Sequence, residues 1–264
     1  MGVEYNALKA LSLIESKNKS LKDLATIGRQ SLQIKANKIS FFNLSKKDKE
    51  GLNKEKFADR LFKMIGFNTV HSYDFSNYED ADFVHDMNTP IEDIHKEKYD
   101  IVFDGGSLEH IFNFPIAIKN CMEMVKTEGY FMSVTTCNNF SGHGFYQFSP
   151  ELFFRVFTEE NGFEMEGVYI SEKNKWYKVN DPESIKSRVT FKNNYETYII
   201  VIAKKIKMAN IFEKTPQQSD YVECWKKEEE RKEKNVKKLI RKTKQMYNKL
   251  FIKYDKKFFT KIKK

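Results

Sequence analysis

An alternation constrains this chain more than any other feature. Through residues 21–205, short apolar runs that end on Asp or Gly take turns with stretches whose apolar residues recur at helical spacing. "LKDLATIG" (21–28) predicts a strand ending at Gly28, followed by an irregular polar stretch to about residue 53. "KEKFADRLFKMIGF" puts Phe57, Leu61, Phe62 and Ile65 on one helical face, with Gly66 as the stop. Three strands come next, "NTVHSYDFS", "DADFVHDMN" and "KYDIVFDGG", ending at Asp74, Asp86 and Asp104. "FPIAIKNCMEMVKTEG" predicts an amphipathic helix stopped by Gly129, and "YFMSVTT" a strand. "SPELFFRVFTEENGF" predicts a capped helix closed by Gly162. "FEMEGVYI" and "NNYETYIIVIAKK" predict two last strands without a helix between them.

This order predicts an α/β fold: a doubly wound, Rossmann-like sheet of seven strands, mostly parallel, with the last two strands antiparallel at one edge. Ligands of such sheets bind beyond the carboxyl ends of the strands, where Gly28, Asp74, Asp86 and Asp104 fall. A buried strand has no need of the Asp-Gly-Gly in "VFDGGSLEH" (102–110) unless something must approach its backbone there.

Charge divides the chain. Residues 204–264 hold 21 Lys/Arg against 8 Asp/Glu, a balance of +13, so the net +9 leaves −4 for the remainder. Domain organisation follows: a domain over 1–207, with an insertion at about 31–53, and a basic helical extension over 208–264. In the extension Trp225, Val236, Leu239, Ile240, Met246, Tyr247, Leu250 and Phe251 recur at helical spacing between charges. Such a tail can meet an anionic membrane surface or a lipid-linked substrate; packing on the body or on a second subunit is the alternative. Cys121, Cys137 and Cys224 have no CxxC spacing, which suits a reducing compartment and argues against a disulfide framework or zinc ribbon. The first residues lack the order of a signal peptide, and the longest apolar run, "YIIVIA" (198–203), is too short to cross a bilayer. The expected location is the cytoplasm, with attachment to the inner face of the membrane through the tail.

Residues 20–204 resemble class I S-adenosylmethionine-dependent methyltransferases. The likeness lies in the strand order and in "YDIVFDGGSLEHIFNFPIAIKNCMEMVKTEGYFMSVTT", where an apolar strand, a Leu-Glu-His, a helix and a turn precede the fifth strand. "FSPELFFRVFTEENGFE" resembles the family's later helix and its "GF" entry to strand six. "TIGRQ", "YEDADFVHDMN" and "GHGFYQFSPELFF" resemble, more narrowly, methyltransferases found near bacterial capsule or surface-polysaccharide genes. The chain departs from the family where a GxGxG loop should follow the first strand: only Gly28 remains, 46 residues before Asp74. In the related dinucleotide fold the acid follows by about 20 residues.

The resemblance implies S-adenosylmethionine as cofactor and methyl transfer as activity, O- before N-methylation. The implied acceptor is a sugar-containing or phosphorylated surface-polysaccharide precursor, a small molecule or a nucleotide- or lipid-linked sugar. A nucleic-acid methyltransferase using the basic tail, and a non-catalytic scaffold on a degenerate fold, are the rivals. On this reading Arg29 and Gln30 replace contacts of the lost loop, Arg29 pairing with the cofactor carboxylate. Asp74 accepts from the ribose hydroxyls, an Asx turn with Ser76 being the structural alternative. Asp86 and Met87 take the adenine, or form a plain turn. Gly105 and Gly106 let backbone approach the sulfonium, Asp104 adds negative charge there, and Ser107 either joins them or caps the next helix. In that helix Glu109 and His110, being adjacent, point to different faces, so one faces the crevice; His110 is the catalytic candidate, with packing against the sheet as its structural alternative. The loop "CNNFSGHGFYQFS" (137–149) offers His143 as general base, with Tyr146 and Gln147 to orient the acceptor. Asp104, Glu109 and His143 can also be drawn as a cation site; the favoured reading has no metal.

Overall fold

The protein is described by a computed structural model over residues 2–258, with side chains to residue 246. In chain order its elements are β1 (Gly2–Val3), α1 (Tyr5–Lys17), β2 (Asp23–Ile27), β3 (Ser31–Leu32), α2 (Lys46–Leu52), α3 (Asp59–Met64), β4 (Thr69–Asp74), β5 (Phe83–Val84) and β6 (Tyr99–Asp104). They continue with α4 (Phe114–Met124), β7 (Val125–Asn138), α5 (Pro150–Val156), β8 (Phe163–Glu172), β9 (Lys175–Lys178), α6 (Pro182–Ile185), β10 (Thr197–Lys205) and α7 (Ser219–Phe258). Two compact units result, Met1–Pro216 and Gln217–Lys264.

The first unit is built on a sheet ordered β5-β4-β2-β6-β7-β10-β8-β9. Its first five strands are parallel neighbours. β10 runs antiparallel between β7 and β8, and β9 is antiparallel to β8. Alternation along each strand divides the apolar residues between two cores, as a sheet covered on both faces requires. In β10, Ile199, Val201 and Ala203 join α4 residues such as Ile118 and Cys121 on one face. Ile200 and Ile202 join Leu8, Leu11 and Ile14 of α1 on the other.

The sheet therefore has eight strands where the sequence predicts seven. The extra strand, β9, carries mostly exposed residues and shows no apolar alternation. Its turn from β8 places Lys173 and Asn174 at φ 49° and 62°, the two positive values a tight right-twisting hairpin demands. The predicted helix at 54–67 shrinks to α3, but its stop is as expected. Gly66 at φ 118° closes it, with Gly66 N–H donating to the Lys63 carbonyl and Phe67 N–H to that of Phe62. The stop assigned to Gly129 is a correction. α4 ends at Met124, and Gly129 lies in β7, where a Cβ would come within 2.7 Å of the Asp100 carbonyl. Close approach of two strands requires that glycine. The segment at 31–53 is also ordered more than expected: β3 pairs with β1, and Ser45 and Asp48 form a reciprocal capping box at α2. Ala36, Ile39, Leu44 and Leu52 anchor it in the core beside α1.

The second unit is α7, a charged helix in which Glu223, Glu228, Glu230 and Glu233 each pair with the Lys four residues on. Trp225, Val236, Leu239, Ile240 and Met246 are exposed on it. Tyr247, Leu250 and Phe251 lie outside the residues whose side chains are described. Among the described residues, no helix is long and apolar enough to cross a membrane.

Candidate functional site

The strand order reverses between β2 and β6, since the chain builds β4 and β5 on one side and β7 on the other. The loops leaving the two strands diverge there and open a crevice of about 400 Å³ at their carboxyl ends. Gly28, Arg29, Asp74, Asp86, Met87, Gly106, Ser107 and His110 line it. Gly28 sits at φ 71°, its N–H donating to the Tyr73 carbonyl at 2.7 Å. Ser107 Oγ donates to the Ile27 carbonyl at 2.6 Å, and a Cβ on Gly28 would come within 2.7 Å of that oxygen. The turns after β2 and β6 thus meet through a glycine and a serine, with no room for larger side chains.

Asp74 stands at the end of β4, as expected, and one carboxylate oxygen accepts from Ser76 N–H at 3.3 Å. Asp86 lies two residues past the short β5, in a turn and not at a strand end. Its Oδ1 accepts from the backbone and side-chain nitrogens of Asn88 at 2.9 and 2.7 Å, which hold the carboxyl below its ordinary range. Met87 is almost wholly buried between the crevice and the core. The Arg29 guanidinium stacks on Phe57 at 4.2 Å and donates to the carbonyls of Glu79 and Asp80 at 2.8 and 3.1 Å. A carboxylate arriving beside it shares donors already tied to the rim.

Two expected lining residues, Gly105 and Asp104, turn inward. Gln30 lines the crevice from its floor, almost wholly buried, its Nε2 donating to the Ile27 carbonyl at 2.7 Å. Gly105 lies against it; a Cβ there would come within 2.1 Å of Gln30 Oε1. Asp104 is fully buried. Its Oδ1 accepts from the N–H groups of Ser107 and Leu108 at 2.8 and 3.1 Å, and its Oδ2 from Ser133 Oγ at 2.7 Å. Burial pushes its carboxyl upward. It caps the following turn from inside and contributes no surface to the crevice.

Leu108–His110 form one turn of 3₁₀ helix, in which adjacent residues still point apart: His110 lines the crevice, while the Glu109 side chain is buried. The loop after β7 folds back on them. Phe145 and Tyr146 donate their N–H groups to the Glu109 carbonyl at 2.8 and 3.2 Å. Tyr146 Oη donates to the Phe112 carbonyl at 2.6 Å, and Gln147 Oε1 accepts from Phe140 N–H at 2.8 Å. The polar groups of Tyr146 and Gln147 are thereby engaged in fixing the loop. His143, on that loop, comes within 4.9 Å of His110 ring to ring, and its Nε2 within 3.7 Å of Glu109 Oε1. Glu109 is fully buried, its Oε2 accepting from Thr135 Oγ1 at 2.7 Å. Burial, with the Asp104 charge nearby, pushes its carboxyl up to about 7. Burial and the neighbouring His143 hold His110 below its ordinary value. The ligating atoms of Glu109, His110 and His143 all lie within 4.8 Å of one another. Asp104, drawn from sequence into such a group, is excluded by its three hydrogen bonds, and His110 takes its place.

No protein-family model matches the chain, and no curated protein matches it. Among solved structures, the chain is similar to a 1,6-didemethyltoxoflavin-N1-methyltransferase of Burkholderia thailandensis, with 1,6-didemethyltoxoflavin and S-adenosylhomocysteine bound. Identity is 11% over 76% of this chain and 78% of that one, with a TM-score of 0.42. A TehB-like S-adenosylmethionine-dependent methyltransferase of Corynebacterium glutamicum matches at 12% identity over 77% of this chain and 89% of its own, TM-score 0.42. TehB of Haemophilus influenzae matches at 16% over 74% of this chain and 62% of its own, TM-score 0.41.

Proposed function

We propose that this protein is an S-adenosylmethionine-dependent methyltransferase whose cofactor occupies the crevice between β2 and β6. The observation that carries the reading is the crevice itself: a strand-order reversal with a side-chain-free floor at Gly28 and Gly106 and a carboxylate, Asp74, at its side. The residues fit the group. Asp74 accepts from ribose hydroxyls, Met87 and Asp86 form the base pocket, and the two glycines and Ser107 allow backbone contact with the thioether region. Arg29 at the rim meets the amino-acid carboxylate. When bound, the cofactor supplies a methyl group on a positively charged sulfur. The chain's part is to align an acceptor, exclude water and take up the acceptor's proton. His110 lines the crevice, and His143, packed against it on the loop after β7, is the candidate for that last task. O-methylation is favoured over N-methylation, and a sugar-containing or phosphorylated surface-polysaccharide precursor is the acceptor class that the sequence resemblance supports.

Calorimetry with S-adenosylmethionine and with S-adenosylhomocysteine tests the reading. The intact protein should bind, and Asp74→Ala should weaken binding more than tenfold. Absence of any heat at millimolar ligand would sink the enzyme reading and leave the scaffold.

A further inference from the structure

We propose that Glu109, His110 and His143 bind a single divalent transition-metal cation of the zinc type. The separation of Glu109 Oε1 from His143 Nε2 is the first reason. At 3.7 Å it is too long for a hydrogen bond. Two ligands each about 2.1 Å from a tetrahedral ion stand about 3.4 Å apart, so the gap is nearly that of atoms sharing an ion. Drawing all three ligand atoms from their 4.8 Å limit to that spacing requires at most about 1.4 Å of side-chain movement.

The second reason is independent of distance. Glu109 Oε1 and His143 Nε2 are both buried, and neither has a hydrogen-bond partner. Folded proteins leave few such atoms unsatisfied, and here two of them face each other. A cation between them satisfies both at once.

The surroundings hold these ligands in place. Thr135 Oγ1 fixes the other oxygen of Glu109, the kind of outer contact that orients a metal-binding carboxylate. Phe145 and Tyr146 clamp the His143 loop to the Glu109 carbonyl. Gly144, at φ 71°, makes the clamp possible, because a Cβ there would lie 2.7 Å from that same carbonyl oxygen.

The donor set selects the ion. Two imidazoles and one carboxylate suit zinc, cobalt, nickel or ferrous iron, whereas magnesium and calcium prefer oxygen alone. Three protein ligands leave a coordination position open, as in catalytic rather than structural sites. His110 also lines the crevice, so the ion belongs to its wall. With His143 held as a ligand, the ion in place of that imidazole would ease the proton off an acceptor hydroxyl at the open position. That role rests on the methyl-transfer reading; the binding does not.

The test uses the full chain carrying Cys224→Ser, which removes the exposed thiol, stripped with chelator and titrated with Zn²⁺, Co²⁺ and Mg²⁺ separately. One equivalent of Zn²⁺ or Co²⁺ should bind with micromolar or tighter affinity, and Mg²⁺ at least a hundredfold more weakly. His110→Asn and His143→Asn should each weaken Zn²⁺ binding at least tenfold with unchanged circular dichroism. Absent or substoichiometric binding, equal affinity for Mg²⁺, or binding unchanged in both variants overturns the proposal and leaves a Glu109–His143 ion pair. Should a variant fail to fold, histidine modification by diethylpyrocarbonate decides. Zn²⁺ should shield two of the five histidines, and no shielding overturns the site. None of these readouts involves S-adenosylmethionine, so the site and the methyl-transfer reading can fail separately.

Discussion

At Gly28 backbone conformation and ligand access make the same demand. Its φ of 71° lies in the left-handed region, which costs an ordinary residue about 1–2 kcal/mol. A Cβ would also press on Ser107 Oγ, whose hydrogen bond to Ile27 ties the two crevice turns together. Gly28→Ala should therefore lower the urea midpoint by an amount equal to about 1–2 kcal/mol and weaken cofactor binding as well. Unchanged midpoint and affinity would show that the turn relaxes freely. Residues at strand ends, Gly28, Asp74 and Ser107, were legible because a strand's end is marked by where its apolar run stops. The inward turn of Asp104 was not legible, since a polar residue beside a glycine reads alike whether it faces solvent or caps a turn from within. The meeting of Glu109, His110 and His143 was hidden for another reason. It depends on a single 3₁₀ turn, too short to carry a period, and on a loop contact across more than 30 residues.

Among elements, β4 and β6 carry a buried polar cluster with consequences for stability. Tyr73 Oη lies 2.7 Å from both His95 Nδ1 and Tyr99 Oη, and His71 Nδ1 lies 3.1 Å from Tyr99 Oη. Burial holds His95 and His71 below the ordinary 6.5. For His95, Lys98, His85 and His71 push the same way and Glu92 opposes. Above that value the imidazoles are neutral in both folded and unfolded chains. As pH falls below it, the unfolded chain takes up protons first, so stability declines until the folded-state values are passed. Because the raised Glu109 carboxyl adds stability as pH falls through about 7, the imidazole contribution is read as a difference: in urea unfolding from pH 7.5 to 5.5, His95→Gln, which keeps a partner for Tyr73, should lose less stability, or gain more, than the unaltered chain. Parallel curves for the two proteins would assign the pH dependence elsewhere. The element order was legible from alternating periodicities, and the antiparallel pairing of β8 with β10 from the lack of a helical pattern between them, where the structure has only β9 and the four-residue α6. β9 and the bounds of α4 were less so. β9 buries almost nothing, and Gly129 gives the same signal whether it ends a helix or lets β7 pass the Asp100 carbonyl.

At the scale of the whole molecule, the charge step near residue 205 coincides only approximately with the structural boundary. The first unit runs to Pro216, beyond the 207 expected from charge. Ile211 is buried in its core and Phe212 N–H donates to Asn161 Oδ1 at 3.0 Å, so the segment after β10 still packs. Composition registers the change in charge, not the last apolar anchor. The four Glu-to-Lys pairs along α7 contribute about 0.3–0.5 kcal/mol each to that helix. They engage four of its acids, and Lys and Arg remain in surplus beside exposed Val236, Leu239, Ile240 and Met246. Such a helix has the makings of an anionic-membrane contact. A chain ended after Pro216 should fold, melt cooperatively and bind S-adenosylmethionine as the full chain does. The full chain should sediment with vesicles containing phosphatidylserine at low salt and be released as ionic strength rises, while the shortened chain should stay in solution throughout. Competition by RNA or DNA, with little sedimentation on vesicles, would reassign the helix to nucleic acid. An unfolded or insoluble shortened chain would reassign it to the core or to a subunit interface.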